Sequence, residues 1–163
     1  MNRCIGLLSV ALALTVRGGA EEPEKKEPAK HEVTADEKAI LDLTNQERTK
    51  AGLPALKLSL VLSKIARGHS ANMAKQGKME HVLDGKTPGQ RTKEGGYRFD
   101  VVAENIAWGE KGFTLAQVMK TWMDSKVHRE NILQKEFTEI GIGIGIDAKG
   151  KSYYTQLFAT PQE

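Results

Sequence analysis

The chain is poor in features that would settle its chemistry quickly. Its 163 residues include a single cysteine, Cys4, close to the N-terminus. An intramolecular disulfide and a cysteine-based metal site are therefore excluded, and the body of the chain has packing alone to stabilise it. No cluster of Lys and Arg with interleaved aromatics occurs, so the electrostatic footprint of a nucleic-acid binder is missing. Setting Arg3 and Arg17 aside with the N-terminal segment leaves 22 of the 24 basic residues against 21 acidic ones, about neutral. No His-Glu-x-x-His motif announces a zinc hydrolase.

What is present reads as one globular domain preceded by an export segment. Hydrophobic residues make up 39% and charged residues 28%, the balance of a soluble domain with a real core. Residues 1–20 read as a signal peptide. Arg3 supplies a positive start, Ile5 to Val16 an apolar run, and Gly18-Gly19-Ala20 a small-residue cleavage site. The run is shorter than the ~20 residues that a spanning helix needs. Arg17 lies close to the cleavage site, so a leader retained as an anchor is the alternative. Cys4 precedes the apolar run, which argues against a lipoprotein. Residues 21–34 form a charged, proline-containing linker too polar to repay ordering. The expected location is secreted, periplasmic or cell-envelope, with no membrane span in the mature domain.

Residues 35–160 carry the fold. Thr34-Ala35-Asp36-Glu37 has the form of a capping box, and Gly52 and Pro54 end the helix it opens. Leu53 to Leu58 reads as a connector carrying apolar anchors, and a second helix is expected over about Ser59 to Lys75, with Leu62, Ile65, Ala66, His69 and Met73 on one face. Lys78 to Asp100 is polar and glycine-rich and reads as a long functional loop. Val101 to Trp108 reads as a strand. Thr114-Leu115-Ala116-Gln117 opens a third helix, and Ser125 to Leu133 a short helical piece. Glu139 to Asp147 alternates isoleucine with glycine, and the glycine face implies close approach of other backbone. Ser152 to Ala159 completes an antiparallel hairpin with it. Helices and strands are segregated, so the fold class is α+β with helices packed on a mainly antiparallel sheet. Tyr153 and Tyr154 fall on opposite strand faces, which predicts that at most one faces the core.

One residue stands out chemically. Glu104 lies inside the apolar run Ala103-Glu104-Asn105-Ile106-Ala107-Trp108, where a charge needs a partner. His81 and His128 are its expected partners. His69, on the apolar stripe of the second helix, is either a core histidine with hydrogen-bonded ring nitrogens or a support for the site.

Several stretches together resemble one family. They are Leu43-Thr44-Asn45-Gln46-Glu47-Arg48, Leu53-Pro54-Ala55-Leu56, Ala66-Arg67-Gly68-His69-Ser70-Ala71-Asn72-Met73, Ala103-Glu104-Asn105-Ile106-Ala107, Trp122-Met123-Asp124-Ser125, His128-Arg129-Glu130-Asn131-Ile132-Leu133 and Phe137-Thr138-Glu139-Ile140-Gly141-Ile142-Gly143. In this order they resemble a bacterial-type CAP domain (cysteine-rich secretory, antigen 5 and pathogenesis-related proteins, also called SCP-like). The resemblance implies an α-β-α sandwich with a surface cleft carrying two histidines and two acids in many members. His81, Glu104 and His128 match three of the four. At the fourth position stands Ser125, with Asp124 one residue earlier.

Three readings of the cleft follow. In the first, the protein is a binding or envelope-associated module that holds a small ligand (lipid, glycan or peptide) at His81, Glu104, His128, Ser125 and Asp124. In the second, His81 and His128 hold Zn²⁺ and activate a water, or Ser125 and His128 form a Ser/His pair, and the protein is a hydrolase. In the third, the same residues form a buried polar network that only fixes the loop against the sheet.

Overall fold

A computed structural model describes residues Glu32–Gln162. The signal-peptide expectation and all of the linker before Glu32 lie outside the described residues. The elements are α1 (Ala35–Lys50), β1 (Lys57–Leu58), α2 (Leu60–Gln76), α3 (Pro88–Glu94), β2 (Phe99–Gly109), α4 (Leu115–Asp124), α5 (Lys126–Ile132), β3 (Glu139–Ile146) and β4 (Ser152–Pro161).

Local chemistry places the helix starts. The Thr34 and Thr114 side chains each accept from the third helical N–H, and Glu37 and Gln117 reach back to the cap, completing both capping boxes. Gly77 ends α2 in the left-handed conformation, at φ 64°.

The sheet has four strands in the order β1-β3-β4-β2. β1 runs parallel to β3, and the other pairs are antiparallel. Ile40 of α1, Trp122 of α4 and Ile132 of α5 pack on one face with Ile140, Ile142, Tyr154 and Phe158. Leu62, Ala66 and Met73 of α2 cover the other face, against Leu157, Ala159, Tyr153 and Ile106. The result is the expected three-layer α-β-α sandwich.

The glycine stripe of β3 explains how close α2 lies. A Cβ at Gly141, Gly143 or Gly145 would fall inside the α2 main chain, at Leu62–Ser63, Ala66–Arg67 and Ser70–Ala71 respectively. Ser63 and Ser70 use this proximity. Ile142 N–H donates to Ser63 Oγ at 3.2 Å, and Ser70 Oγ donates to the Gly143 carbonyl at 3.0 Å.

Three expectations are corrected. The 78–100 stretch is not all loop. Thr87-Pro88-Gly89-Gln90 forms a third capping box and opens α3, with Pro88 at the first helical position where its missing N–H is harmless. Lys57–Leu58 is a short strand, not a plain connector, because it hydrogen-bonds to β3. Tyr153 and Tyr154 are both buried, since each face of the sheet has its own helical layer.

Candidate functional site

Glu104 sits in β2 on the face toward α2, and its side chain is 2% exposed. Both carboxylate oxygens are engaged. Oε1 lies 3.0 Å from His81 Nδ1, and Oε2 accepts from Arg91 Nη2 at 2.6 Å. His69 Nε2 is 3.6 Å from Oε1, beyond hydrogen-bond length. Arg91 does more than neutralise the acid. Its other terminal nitrogen donates to the carbonyls of His81 and Lys86, at 2.8 and 2.7 Å. One guanidinium thus fastens the loop that carries His81 to the carboxylate that His81 contacts. Helix α3 positions Arg91, which makes α3 part of the site.

Glu104 is therefore flanked by His81, Arg91 and His69; His128 makes no bond to it. His128 lies on α5 across the sheet edge. Its carbonyl accepts from Asn105 Nδ2 at 3.0 Å, and its half-buried ring leaves Nδ1 enclosed without a partner among the described residues. Burial, and secondarily the neighbouring His81, lower its pKa and favour the neutral ring.

His69 is almost fully buried, and neither ring nitrogen makes a well-formed hydrogen bond among the described residues. Its ring is thus held more loosely than that of a core histidine with two well-formed hydrogen bonds. Burial lowers its pKa most, with Arg91 and His81 adding to the effect; Glu104 and the Glu80 backbone oppose it. A neutral imidazole has one donor, while Glu104 and the Glu80 carbonyl both offer acceptors.

The residue after Glu104 faces the opposite layer. Asn105 is fully buried and donates also to Gln156 Oε1 at 3.1 Å, while its oxygen accepts from Asn131 Nδ2 at 2.9 Å. Gln156 passes the chain on to Thr44 Oγ1 at 2.7 Å. The polar groups thus run from α5 across this face of the sheet to α1, each with a partner.

Two expected site residues are not brought into this cluster. The carboxylate of Asp124 is exposed at the end of α4 and paired with Lys120 at 2.7 Å. Ser125 sits at the junction of α4 and α5, and its side chain makes no hydrogen bond to His128. The helix-to-helix turn dictates both placements. Sequence reasoning missed Arg91. The available signal was physical: a buried carboxylate calls for a cation as well as imidazoles.

A groove of about 430 Å³ opens at the outer edge of β2, walled by Met79 on one side and Phe113, Thr121 and His128 on the other, with Ile106 and Trp108 at its base. Glu104 and Ile106 lie on the same face of β2, two residues apart, so the polar cluster and the groove adjoin along the strand. Trp108 is 43% exposed, and the Lys151 ammonium lies 3.5 Å from its ring centre.

Among the described residues, no group of three or more His, Cys, Asp or Glu side chains converges in metal-holding geometry. The donors available to a metal are two imidazoles: His81 through Nε2, since Nδ1 engages Glu104, and His128. Glu104 would orient His81 and stay outside the ligand set.

The family model described as "Cysteine-rich secretory protein family" (CAP) matches residues 41–158. The chain belongs to the CAP family. An uncharacterised Bacillus subtilis protein, YkwD, is 38% identical to it over 140 residues, covering 85% of this chain and 52% of its relative. The chain thus spans about half the length of that relative. Among solved structures, an extracellular SCP-domain protein from Bacillus anthracis is 32% identical, with a TM-score of 0.66, over 76% of this chain and 40% of that one. An outer surface protein from Borrelia burgdorferi superposes with a TM-score of 0.72 at 24% identity, over 78% and 93% of the two chains. That likeness carries the CAP fold alone. The matched segment contains Glu104, Arg91 and the three histidines of the site.

Proposed function

We propose that this CAP domain is a binding module of the cell exterior, and that it holds a small amphipathic ligand in the groove beside His128. The observation that carries this reading is the groove itself: an open apolar channel that adjoins a charged cluster whose own members are paired off. Apolar lining with a few convergent polar groups is the usual make-up of a ligand site. The secreted or envelope location is supported by relatives described as an outer surface protein and an extracellular protein. The burial of the Glu104 carboxylate behind His81 and Arg91 favours binding over hydrolysis by Glu104 itself, because a general base must come within reach of substrate.

The test uses an apolar anionic dye, anilinonaphthalene sulfonate, with Thr121→Trp as a plug for the groove. The wild type should bind one equivalent with enhanced dye fluorescence, and the variant roughly tenfold more weakly. Equal binding by both proteins would place the dye elsewhere and remove the reading.

A second reading is favoured by the nearness of the His81 and His128 rings, one of which lines the groove. Here His81 and His128 hold Zn²⁺, with water in the remaining positions; a bound zinc ion would supply an acidified water. The check is calorimetric zinc titration of the wild type beside His81→Ala/His128→Ala. Saturable binding lost in the double variant, with its circular dichroism unchanged, supports a zinc site. Unfolding of the double variant would instead favour the purely structural network.

A further inference from the structure

The base of the groove is a strand edge. Lys57 N–H donates to the Thr138 carbonyl and Ser59 N–H to the Ile140 carbonyl, both at 2.9 Å, so the even-numbered residues of β3 face β1. Its odd-numbered residues face β4, where Gly143 pairs with Thr155 and Gly145 with Tyr153. Tyr154 and Gln156 then face β2, opposite Ala107 and Asn105. It follows from strand alternation that the main-chain groups of Ile106 and Trp108 point away from the sheet. The contact from Trp122 Nε1 to the Ile106 carbonyl, at 3.1 Å, agrees with that direction. Among the described residues, no acceptor meets the N–H of Ile106 or of Trp108, and no donor meets the Trp108 carbonyl.

The groove is built around this edge. Ile106, Ala107, Trp108 and Gly109 are consecutive in its lining, and its two walls come from opposite layers of the sandwich. A chain laid in it would lie in the plane of the sheet. The two ends differ in chemistry: the Glu110 carboxylate stands at the end after Gly109, and the His128 imidazole at the end beside Asn105.

We propose that the outer edge of β2 takes an extended peptide as a fifth strand, antiparallel to β2, with its amine end toward Glu110 and its carboxylate end toward His128. This rests on the groove being the ligand site and names the ligand class for it. Three observations converge on a peptide. The free N–H groups of Ile106 and Trp108, with the free Trp108 carbonyl, recur every second residue, the spacing of a strand partner, while the Ile106 carbonyl is held by Trp122. The apolar walls accept side chains pointing alternately to the two layers. The Glu110 carboxylate at one end and the His128 imidazole, which keeps one N–H donor even when neutral, at the other match the amine and the carboxylate of a short free peptide. The stretch from Asn105 to Glu110, at ~3.4 Å per residue, holds a segment of about five residues.

The test uses the whole chain and a pool of unblocked pentapeptides varied in their side chains. Amide hydrogen exchange is read at Ile106 and Trp108 by nuclear magnetic resonance. Addition of the pool should slow exchange at both, leave Asn105 and Ala107 unchanged in their ladder with β4, and displace the dye. The best peptide is then remade with backbone N-methyl groups at alternate positions. Methylation in one alternation should weaken binding roughly tenfold or more, and in the other by less than about twofold. Acetylating the amine or amidating the carboxylate should each weaken it by several-fold.

Dye displacement without slowed exchange at Ile106 and Trp108 would overturn strand addition while leaving the groove a binding site. So would equal loss from both methylation patterns, or displacement by palmitate and by no peptide. Failure of the dye to sense Thr121→Trp, with those amides still slowed by peptide, would sink the amphipathic-ligand reading and leave strand addition standing.

Discussion

Arg91 Nη2 lies 2.6 Å from Glu104 Oε2, and these two side chains are only 12% and 2% exposed. A pair this enclosed is costly to break from one side. Arg91→Met should destabilise the fold by about 3–5 kcal/mol, because it leaves a carboxylate buried without its cation. Arg91→Lys should recover part of that loss but not all, since an ammonium lacks the fork that also binds the carbonyls of His81 and Lys86. Adding Glu104→Gln to Arg91→Met should restore much of the stability. Urea unfolding of the four proteins checks the set, and a double variant no better than Arg91→Met would contradict the pairing.

The buried histidines set a pH dependence. The pKa values of His69 and His128 are lowered, chiefly by burial, below the ordinary 6.5. Between the folded and unfolded values the unfolded chain binds more protons, so the contribution is fully present above about pH 6.5 and is lost as pH falls through the folded values. Stability should therefore rise with pH through the mildly acidic range. His69→Gln should flatten that rise when guanidinium midpoints are compared between about pH 5 and pH 8. A profile identical to wild type would show that His69 does not titrate differently on unfolding.

Two glycines make opposite forecasts. Gly143→Ala would drive a methyl into the main chain of Ala66 and Arg67, atoms that cannot swing aside. A loss of about 3 kcal/mol or more is expected, at the upper end for overpacking. Gly68→Ala, on the exposed side of α2 with open space around its Cβ, should stabilise by about 0.5–1 kcal/mol. Thermal melts of both variants decide.

Arg48 is the other enclosed cation. It is 1% exposed and donates to the carbonyls of Pro54, Ile132, Gln134 and Phe137, tying α1 to the segment between α5 and β3. Arg48→Lys should cost about 3 kcal/mol, because one ammonium cannot serve four carbonyls in that fork and some are left unsatisfied. Chemical unfolding measures it. A loss under about 0.5 kcal/mol would mean that water replaces the missing donors.

Much of the fold was legible because its signals are local. The Thr34 and Thr114 capping boxes, the apolar stripe of α2 and the isoleucine–glycine alternation of β3 each announce an element from within a few residues. Helix α3 was hidden by Pro88 and Gly89, which read as loop even though Pro88 occupies the one helical position that suits it. The site was only half legible. Glu104 and His81 were found because a charge in an apolar run demands a partner. Arg91 was not found, since its helix was read as loop. Nor was the separation of His128 from Glu104, which depends on how α5 crosses the sheet edge.

The bare face of β3 has a consequence for how the site is spaced. Where α2 meets Gly141, Gly143 and Gly145, main chain rests on main chain. The height of α2 over the sheet is then fixed by atoms common to every amino acid. Exchanges among the apolar side chains of α2 cannot lift or lower it there, and His69, carried between Ala66–Arg67 and Ser70–Ala71, keeps its distance from Glu104. The spacing of the charged cluster is thus set by main-chain contact, not by the bulk of the side chains around it.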